Sequence, residues 1–351
     1  LQFEREYARI PVRNVIDYKK DGGNSVATIK DVSKFCGVSV ATVSRVINRD
    51  ANVRESTRRK VLEAIDELHY VPNAIAKNLR TDKTKRILVL LAGISNQFYS
   101  KVLVGMERRA EEDGYRTAIA ITHNNADIER QCFENLKMHF YDGVVSLSSA
   151  LDSEYLNDIY DHFPIAFCSE YVENTKIPYI GVDNEKAGYD ATKFYIDQGF
   201  TKIAFIGTKL KYGSAAEREL GYKKALSDAE IPENKDYIFY GNYSFDAGET
   251  AGRHFLSLPK MPQAIFSISD AMAIGAMREL IKNGIKIGKE VHICGFDNTK
   301  ISEVYMPSLT TVSQPRFEIG YTVMDRLIRR IETGEKMETI KLTHKIIVRE
   351  S

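Results

Sequence analysis

The chain of 351 residues has little of what marks membrane, secreted or catalytic proteins. It holds no run of 18 apolar residues, so no segment is a candidate membrane-spanning helix. No apolar core segment stands near its start, and no secretory signal is expected ahead of residue 25. Its four cysteines, Cys36, Cys132, Cys168 and Cys294, are scattered and form no CxxC pair. Each sits in or beside an apolar stretch, which predicts buried free thiols in a reducing cytoplasm. The seven histidines show no metal-ligand spacing. Neither a phosphate loop of the form GxxxxGKS/T nor a nucleophile–base set appears, so no enzymatic activity and no cofactor are expected. Excess charge is lacking too: the net charge is +1, odd for a chain that does nothing but bind nucleic acid.

What is present is apolar bulk with a local basic excess. Hydrophobic residues make up 43% of the chain, enough for two or three domains with sizeable cores. Within residues 25–86 Lys and Arg outnumber Asp and Glu, which reads as a small basic head on a larger, mildly acidic body. That head is patterned as short helices. Thr28, with Asp31 three residues on, is a helix start, and Ile29, Val32 and Phe35 share the face that follows. Gly37 breaks this helix, being free to take a positive φ. Ser39 can cap a second helix from Val40 to about Asn48, with Val43, Val46 and Ile47 inward. A third, from Thr57 to Leu68, repeats apolar residues at Val61, Leu62, Ile65 and Leu68. Helix, tight turn and helix is the arrangement in which the second helix enters the DNA major groove. Ser39, Thr42, Ser44 and Arg45 put hydroxyls and a guanidinium where phosphates and base edges would lie, and Val40 and Ala41 can meet thymine methyls.

The stretches GVSVATVSRVIN and VRESTRRKVLEAIDELHYVPNAIAKNLRT resemble the DNA-binding headpiece of the lactose-repressor and galactose-repressor family of bacterial transcription regulators. The resemblance continues through nearly everything after residue 25. It implies that Pro72 to Arg80 is a hinge helix of about two turns, too short to be stable alone in water, which forms when two protomers meet on the operator. Leu79 corresponds to the leucine that wedges between base pairs in the minor groove and kinks the duplex. Asn73 and Ala76 correspond to hinge positions against that groove. With Thr28, Asn48 and Tyr70, these residues complete the expected DNA-contacting set.

From residue 86 short apolar runs alternate with helical segments. Strands are expected at 87–92, 117–121, 143–147 and 165–168, then at 203–207, 237–240, 264–267 and 292–296. Helices fall between them, which argues for parallel sheets covered on both faces. Two doubly wound lobes result, and the resemblance implies a body like that of periplasmic sugar-binding proteins, with ligand in the interlobe cleft. The expected division is residues 1–25 as an unassigned extension, 26–71 as headpiece and 72–85 as hinge and linker. Residues 86–182 with 313–340 would form one lobe, and 183–312 with 341–351 the other. Residues 1–25 lie outside the family pattern. They read as a translated leader, with Val26 as the start, or as a poorly ordered arm.

Ligands of open α/β sheets lie at the carboxyl ends of strands. Phe98 and Tyr99 correspond to ligand-stacking positions of the family, Arg218 to an arginine that forks onto ligand oxygens, and Tyr243 to a stacking aromatic. Asp270 and Asp297 follow strand ends, where a carboxylate accepts hydrogen bonds from hydroxyls or a ring N–H; Asp270 is equally a helix cap. Two departures from the family stand out. Ser269 replaces a frequent asparagine, and Arg316 replaces an aromatic. The chain carries no leucine heptads after its last lobe, so a dimer is expected. Its ligand region looks most like the cytidine-repressor branch, and a nucleoside or a sugar would suit the aromatics. The expected function is that of a cytoplasmic, homodimeric, ligand-responsive repressor on a pseudo-palindromic operator. The rival is a transport-type small-molecule-binding protein without a DNA-binding role.

Overall fold

The computed structural model describes residues 27–48, 50–70, 83–210 and 213–351, and the chain divides into two units, Leu1–Thr81 and Asp82–Ser351. The expected hinge residues Pro72, Asn73, Ala76 and Leu79, and the extension 1–25, lie outside the described residues. In the first unit Thr28 opens α1 (Ile29–Cys36) by donating its N–H and hydroxyl to Asp31 at 2.9 and 2.7 Å. Gly37 ends α1 at φ 67, a conformation that would strain a residue with a Cβ. Ser39 then caps α2 (Val40–Ile47) by accepting from the Thr42 amide at 3.2 Å. The longer α3 (Glu55–Glu67) closes a small core of Val32, Val43, Val46, Val61 and Ala64. Phe35, expected on the inward face, is instead 58% exposed. Ile29, Val32 and Cys36 form the inward face of α1, and Phe35 is turned away from it.

The second unit is built on two six-stranded sheets. The first takes β1 (Arg86–Leu91), β2 (Arg116–Ile121), β3 (Gly143–Ser146), β4 (Ile165–Cys168), β5 (Tyr179–Val182) and a late β11 (Ile340–Leu342), ordered 11-5-4-3-1-2 and parallel throughout. The second takes β6 (Ile203–Thr208), β7 (Ile238–Gly241), β8 (Ala264–Ser267), β9 (His292–Phe296), β10 (Thr310–Ser313) and β12 (Lys345–Ile347), ordered 12-10-9-8-6-7, with β12 antiparallel to β10. Parallel strands buried on both faces must be apolar on both. In β1, accordingly, Ile87, Val89 and Leu91 enter one core while Leu88 and Leu90 enter another, the alternation a strand imposes.

Chain crossings set which residues reach the seam between the lobes. β5 ends the first lobe at Val182, and α7 (Asn184–Ile196) already packs in the second, after α4 (Phe98–Glu112), α5 (Ala126–Lys137) and α6 (Ser153–His162) of the first. The second lobe continues through α8 (Gly213–Asp228), α9 (Phe245–Leu256), α10 (Asp270–Lys282) and the short α11 (Lys300–Val304). After β10 the chain returns, because α12 (Arg316–Thr333) buries Ile319, Val323, Met324, Leu327 and Ile328 in the first lobe's core. The final crossing falls between Leu342 and Lys345, not after residue 340, because β11 pairs with β5 through Leu342. Cys132, Cys168 and Cys294 are buried and Cys36 is half-buried; all are free thiols. Among the described residues no helix is long and apolar enough to cross a membrane.

Two glycines let α4 and α12 approach within backbone contact. A Cβ on Gly105 would strike the Phe317 carbonyl, and one on Gly320 the Val102 carbonyl. Because the clash is with backbone, no rotamer change relieves it. Gly320→Ala should therefore lower stability by about 1–3 kcal/mol in urea unfolding. A variant as stable as the parent would show that the pair can separate without loss.

Candidate functional site

The first unit presents a polar, exposed surface along α2. Ser39, Ala41, Arg45 and Asn48 are exposed, Val40 is exposed despite being apolar, and Thr42 and Ser44 are half-exposed. Local hydrogen bonds fix this face. The Ser39 and Thr42 hydroxyls lie 2.9 Å apart, and the Asn48 amide donates to the Ser44 carbonyl at 2.8 Å. Thr28 is exposed at the start of α1, while Tyr70 packs half-buried against the small core. An exposed helix start with hydroxyls, small apolar groups and one arginine can meet a groove floor and its phosphates together.

The second unit encloses a cavity of about 240 Å³ between the lobes. Phe98 and Tyr99 line it from the start of α4, with their rings edge to face at 5.6 Å. Arg218 of α8 and Tyr243 and Asp297, beyond β7 and β9, line it from the second lobe. Five of the six expected ligand residues thus face one space. Arg218 is buried. Its Nε donates to Asn184 Oδ1 and its Nη1 to the Ile268 carbonyl, each at 2.9 Å, and the guanidinium lies 3.7 Å from the Phe296 ring centroid. α7 and α8 can hold it there because Gly188 and Gly221 admit backbone contact, where a Cβ on either would strike the opposing helix.

Asp297 is buried, and the Gln314 amide donates to it at 2.8 Å. Burial raises its pKa to about 6, although Arg218, Gln314 and Arg316 pull the other way. Its φ of 106 is unusual for a residue with a side chain, and Ser169 and Tyr243 at the same cavity also lie at positive φ, 65 and 67. Backbone strain of this kind collects at ligand sites, where the fold holds side chains in position at a cost.

Asp270 stands apart from these five. Its carboxylate accepts the Thr299 amide and hydroxyl at 2.6 and 2.8 Å and the Thr311 hydroxyl at 2.6 Å. It does not cap α10; Ser269 does so, accepting from the Met272 amide at 3.3 Å. Asp270 lines a second chamber of about 460 Å³, which shares Asn96, Tyr243 and Asp297 with the first cavity.

Glu170, which lines the cavity, and Tyr171 beside it on the seam are not among the expected ligand residues. Glu170 follows β4 and accepts from Ser214 across the seam; burial pushes its pKa up to about 7. A carboxylate two residues past a buried apolar strand was a usable signal, since ligands gather at strand ends. Tyr171 donates to Glu217 at 2.8 Å across the same seam. Arg316 is buried and donates to the carbonyls of Asn298 at 2.7 Å and Gln97 at 3.4 Å, tying α12 to both lobes. Among the described residues no cluster of His, Cys, Asp or Glu is arranged to hold a metal ion.

A helix-turn-helix unit on the same chain as a two-lobed receptor defines a ligand-receiving transcription regulator. Family comparison agrees for both parts. Residues 28–73 match the model of bacterial regulatory proteins of the lacI family, and residues 84–350 match that of periplasmic binding proteins and the sugar-binding domain of the LacI family. The chain belongs to the LacI family and is a DNA-binding transcription regulator. The catabolite control protein A of Priestia megaterium is 35% identical over 328 residues, covering 92% of this chain and 98% of the relative. The transcriptional repressor PurR of Vibrio campbellii is 33% identical over 327 residues, with the same coverage. The lac repressor dimer bound to operator and the anti-inducer ONPF superposes with a TM-score of 0.83 at 26% identity, covering 93% of this chain and 99% of that one.

Asp270 acts in this structure as a strut between α10, β10 and the loop after Asp297. Asp270→Ala would strand the buried Thr299 amide and should lower stability by about 1–3 kcal/mol. Unchanged urea unfolding would show that the three hydrogen bonds contribute nothing net.

Proposed function

We propose that this protein is a cytoplasmic, homodimeric repressor that binds a pseudo-palindromic operator and is switched by a small molecule in the interlobe cavity. The observation that carries the reading is the convergence of Arg218, Asp297, Gln314, Tyr243 and the Phe98–Tyr99 pair on one space. A forked donor, a buried acceptor and an amide suit vicinal hydroxyls, and the aromatic faces suit a ring. A sugar or a nucleoside has both features. The reading places the ligand region nearest the cytidine-repressor branch on the stretches around Tyr243 and Asp297. A transport-type binding protein would explain the body alone; the matched headpiece at 28–73 argues against it.

The switch follows from linkage. An effector shifts the equilibrium only by its unequal affinity for the two states. An inducer favours the state in which residues 72–80 cannot pair on the operator, and a corepressor favours the opposite state. The protein's own promoter, in a gel shift with and without nucleosides and sugars, tests this directly. Retarded DNA that some ligand releases or tightens supports the reading; no specific retardation refutes it.

Arg218→Ala should remove the ligand response while leaving operator affinity near that of the parent. A variant that still responds at ordinary ligand concentrations would contradict the assignment of the cavity. Leu79→Ala should weaken specific operator binding by a few kcal/mol and spare ligand affinity, because lost wedging forfeits the bend; undiminished operator affinity would remove Leu79 from the interface.

A further inference from the structure

The chain segment that leads from the headpiece into the body is pinned as soon as the body begins. Asp142 accepts the Thr84 amide and hydroxyl at 2.7 Å each and the Lys85 amide at 2.8 Å. Glu332 accepts Lys83 Nζ at 2.6 Å, Lys85 Nζ at 2.5 Å and the Tyr115 hydroxyl at 2.7 Å. Lys85 also lies 4.2 Å over the Tyr115 ring. Two of these bonds engage backbone N–H groups, so they fix the direction of residues 84–85 as well as their position.

Glu332 sits at the C-terminal end of α12, whose first residue is Arg316. At the other end Gln314 holds Asp297, which lines the cavity, and Arg316 holds the carbonyl of its neighbour Asn298. An 18-residue helix is about 27 Å long at 1.5 Å per residue. It is also stiff, because α4 locks onto it at Gly105 and Gly320, and the Arg109–Asp325 ion pair at 2.9 Å adds a further clamp. A displacement at the cavity end therefore arrives at the linker end instead of dissipating in soft packing.

We propose that α12 is the rod that carries the state of the cavity to the DNA-side linker, with Glu332 and Asp142 as the positioning residues that hold residues 83–85. The physical sequence is short. Ligand in the cavity moves the loop carrying Asp297 and Asn298. That loop moves Gln314 and Arg316, and the far end of α12 moves Glu332. The linker then starts toward the hinge from a different place.

The linkage to effector rests on the proposed role of the cavity, but the test does not need the effector. First, Glu332→Gln and Asp142→Asn are assayed by fluorescence anisotropy on the protein's own-promoter operator and on a random duplex of equal length. Specific affinity should fall about tenfold with random-duplex affinity unchanged, and Glu332→Asp should recover part of the loss. Second, hydrogen exchange at the Thr84 and Lys85 amides is compared between the parent and Gln314→Ala. Exchange at those amides should accelerate, although the substitution lies at the other end of α12. Unchanged operator affinity in both linker variants, equal losses on both duplexes, or exchange at Thr84 and Lys85 indifferent to Gln314→Ala would each overturn the proposal. A wild-type protein that binds operator but answers to no ligand would refute the role of the cavity and leave both measurements readable.

Discussion

A guanidinium group buried at the seam of two lobes is the constraint from which the site follows. Taking Arg218 out of water is costly unless its donors are met. Asn184 and the Ile268 carbonyl meet two of them, and the Phe296 ring covers one face. Each partner belongs to a different part of the second lobe, so satisfying one charge locks α7, α8, β9 and the turn before α10 together. The glycines at 188 and 221 exist in that arrangement because a Cβ would push the helices apart and the guanidinium out of register. Asp297 pays the local cost of this order: it is buried near the arginine, with its pKa raised to about 6 and its backbone at φ 106.

The two halves of the molecule answer different physical demands. DNA reading needs an exposed, rigid helix start, and five buried side chains suffice to hold one. Ligand reception needs two bodies that can move, joined by few strands. Hydrogen bonds across the seam, such as those from Ser214 to Glu170 and from Tyr171 to Glu217, are polar and exchangeable, so they leave the lobes a choice of arrangement that an apolar interface would deny. Buried Arg316 bonds both lobes and begins the helix that ends at the linker.

Much of this was legible in the residues, for identifiable reasons. Strands Ile165–Cys168, Ala264–Ser267 and His292–Phe296 occupy the ranges that their apolar runs predict, because each is a short run too brief for a helix and dominated by apolar residues, the pattern of a strand buried on both faces. Arg218 is legible through the resemblance and Asp297 through its strand end; the strand-end rule reaches Glu170 as well, two residues past Ile165–Cys168. β5 was missed: YIGV is short and contains a glycine, and its place is decided by pairing with β4 and β11, far away in sequence. Asp270 was read as ligand contact or cap. The three donors that claim it come from Thr299 and Thr311, which periodicity cannot bring near. Phe35 shows the limit of face-counting: Ile29, Val32 and Cys36 share the inward face of α1, and Phe35 lies about 100° of helix rotation from Cys36.

The central claim is that occupancy of the cavity and occupancy of the operator share one free energy. Linkage then requires reciprocity: whatever factor the effector changes operator affinity by, operator must change effector affinity by the same factor. Isothermal titration of the protein with its effector, once free and once saturated with operator duplex, measures this most directly. The account predicts dissociation constants differing by about 5- to 150-fold, in the ratio found for operator with and without effector. Equal constants in the two titrations would contradict it.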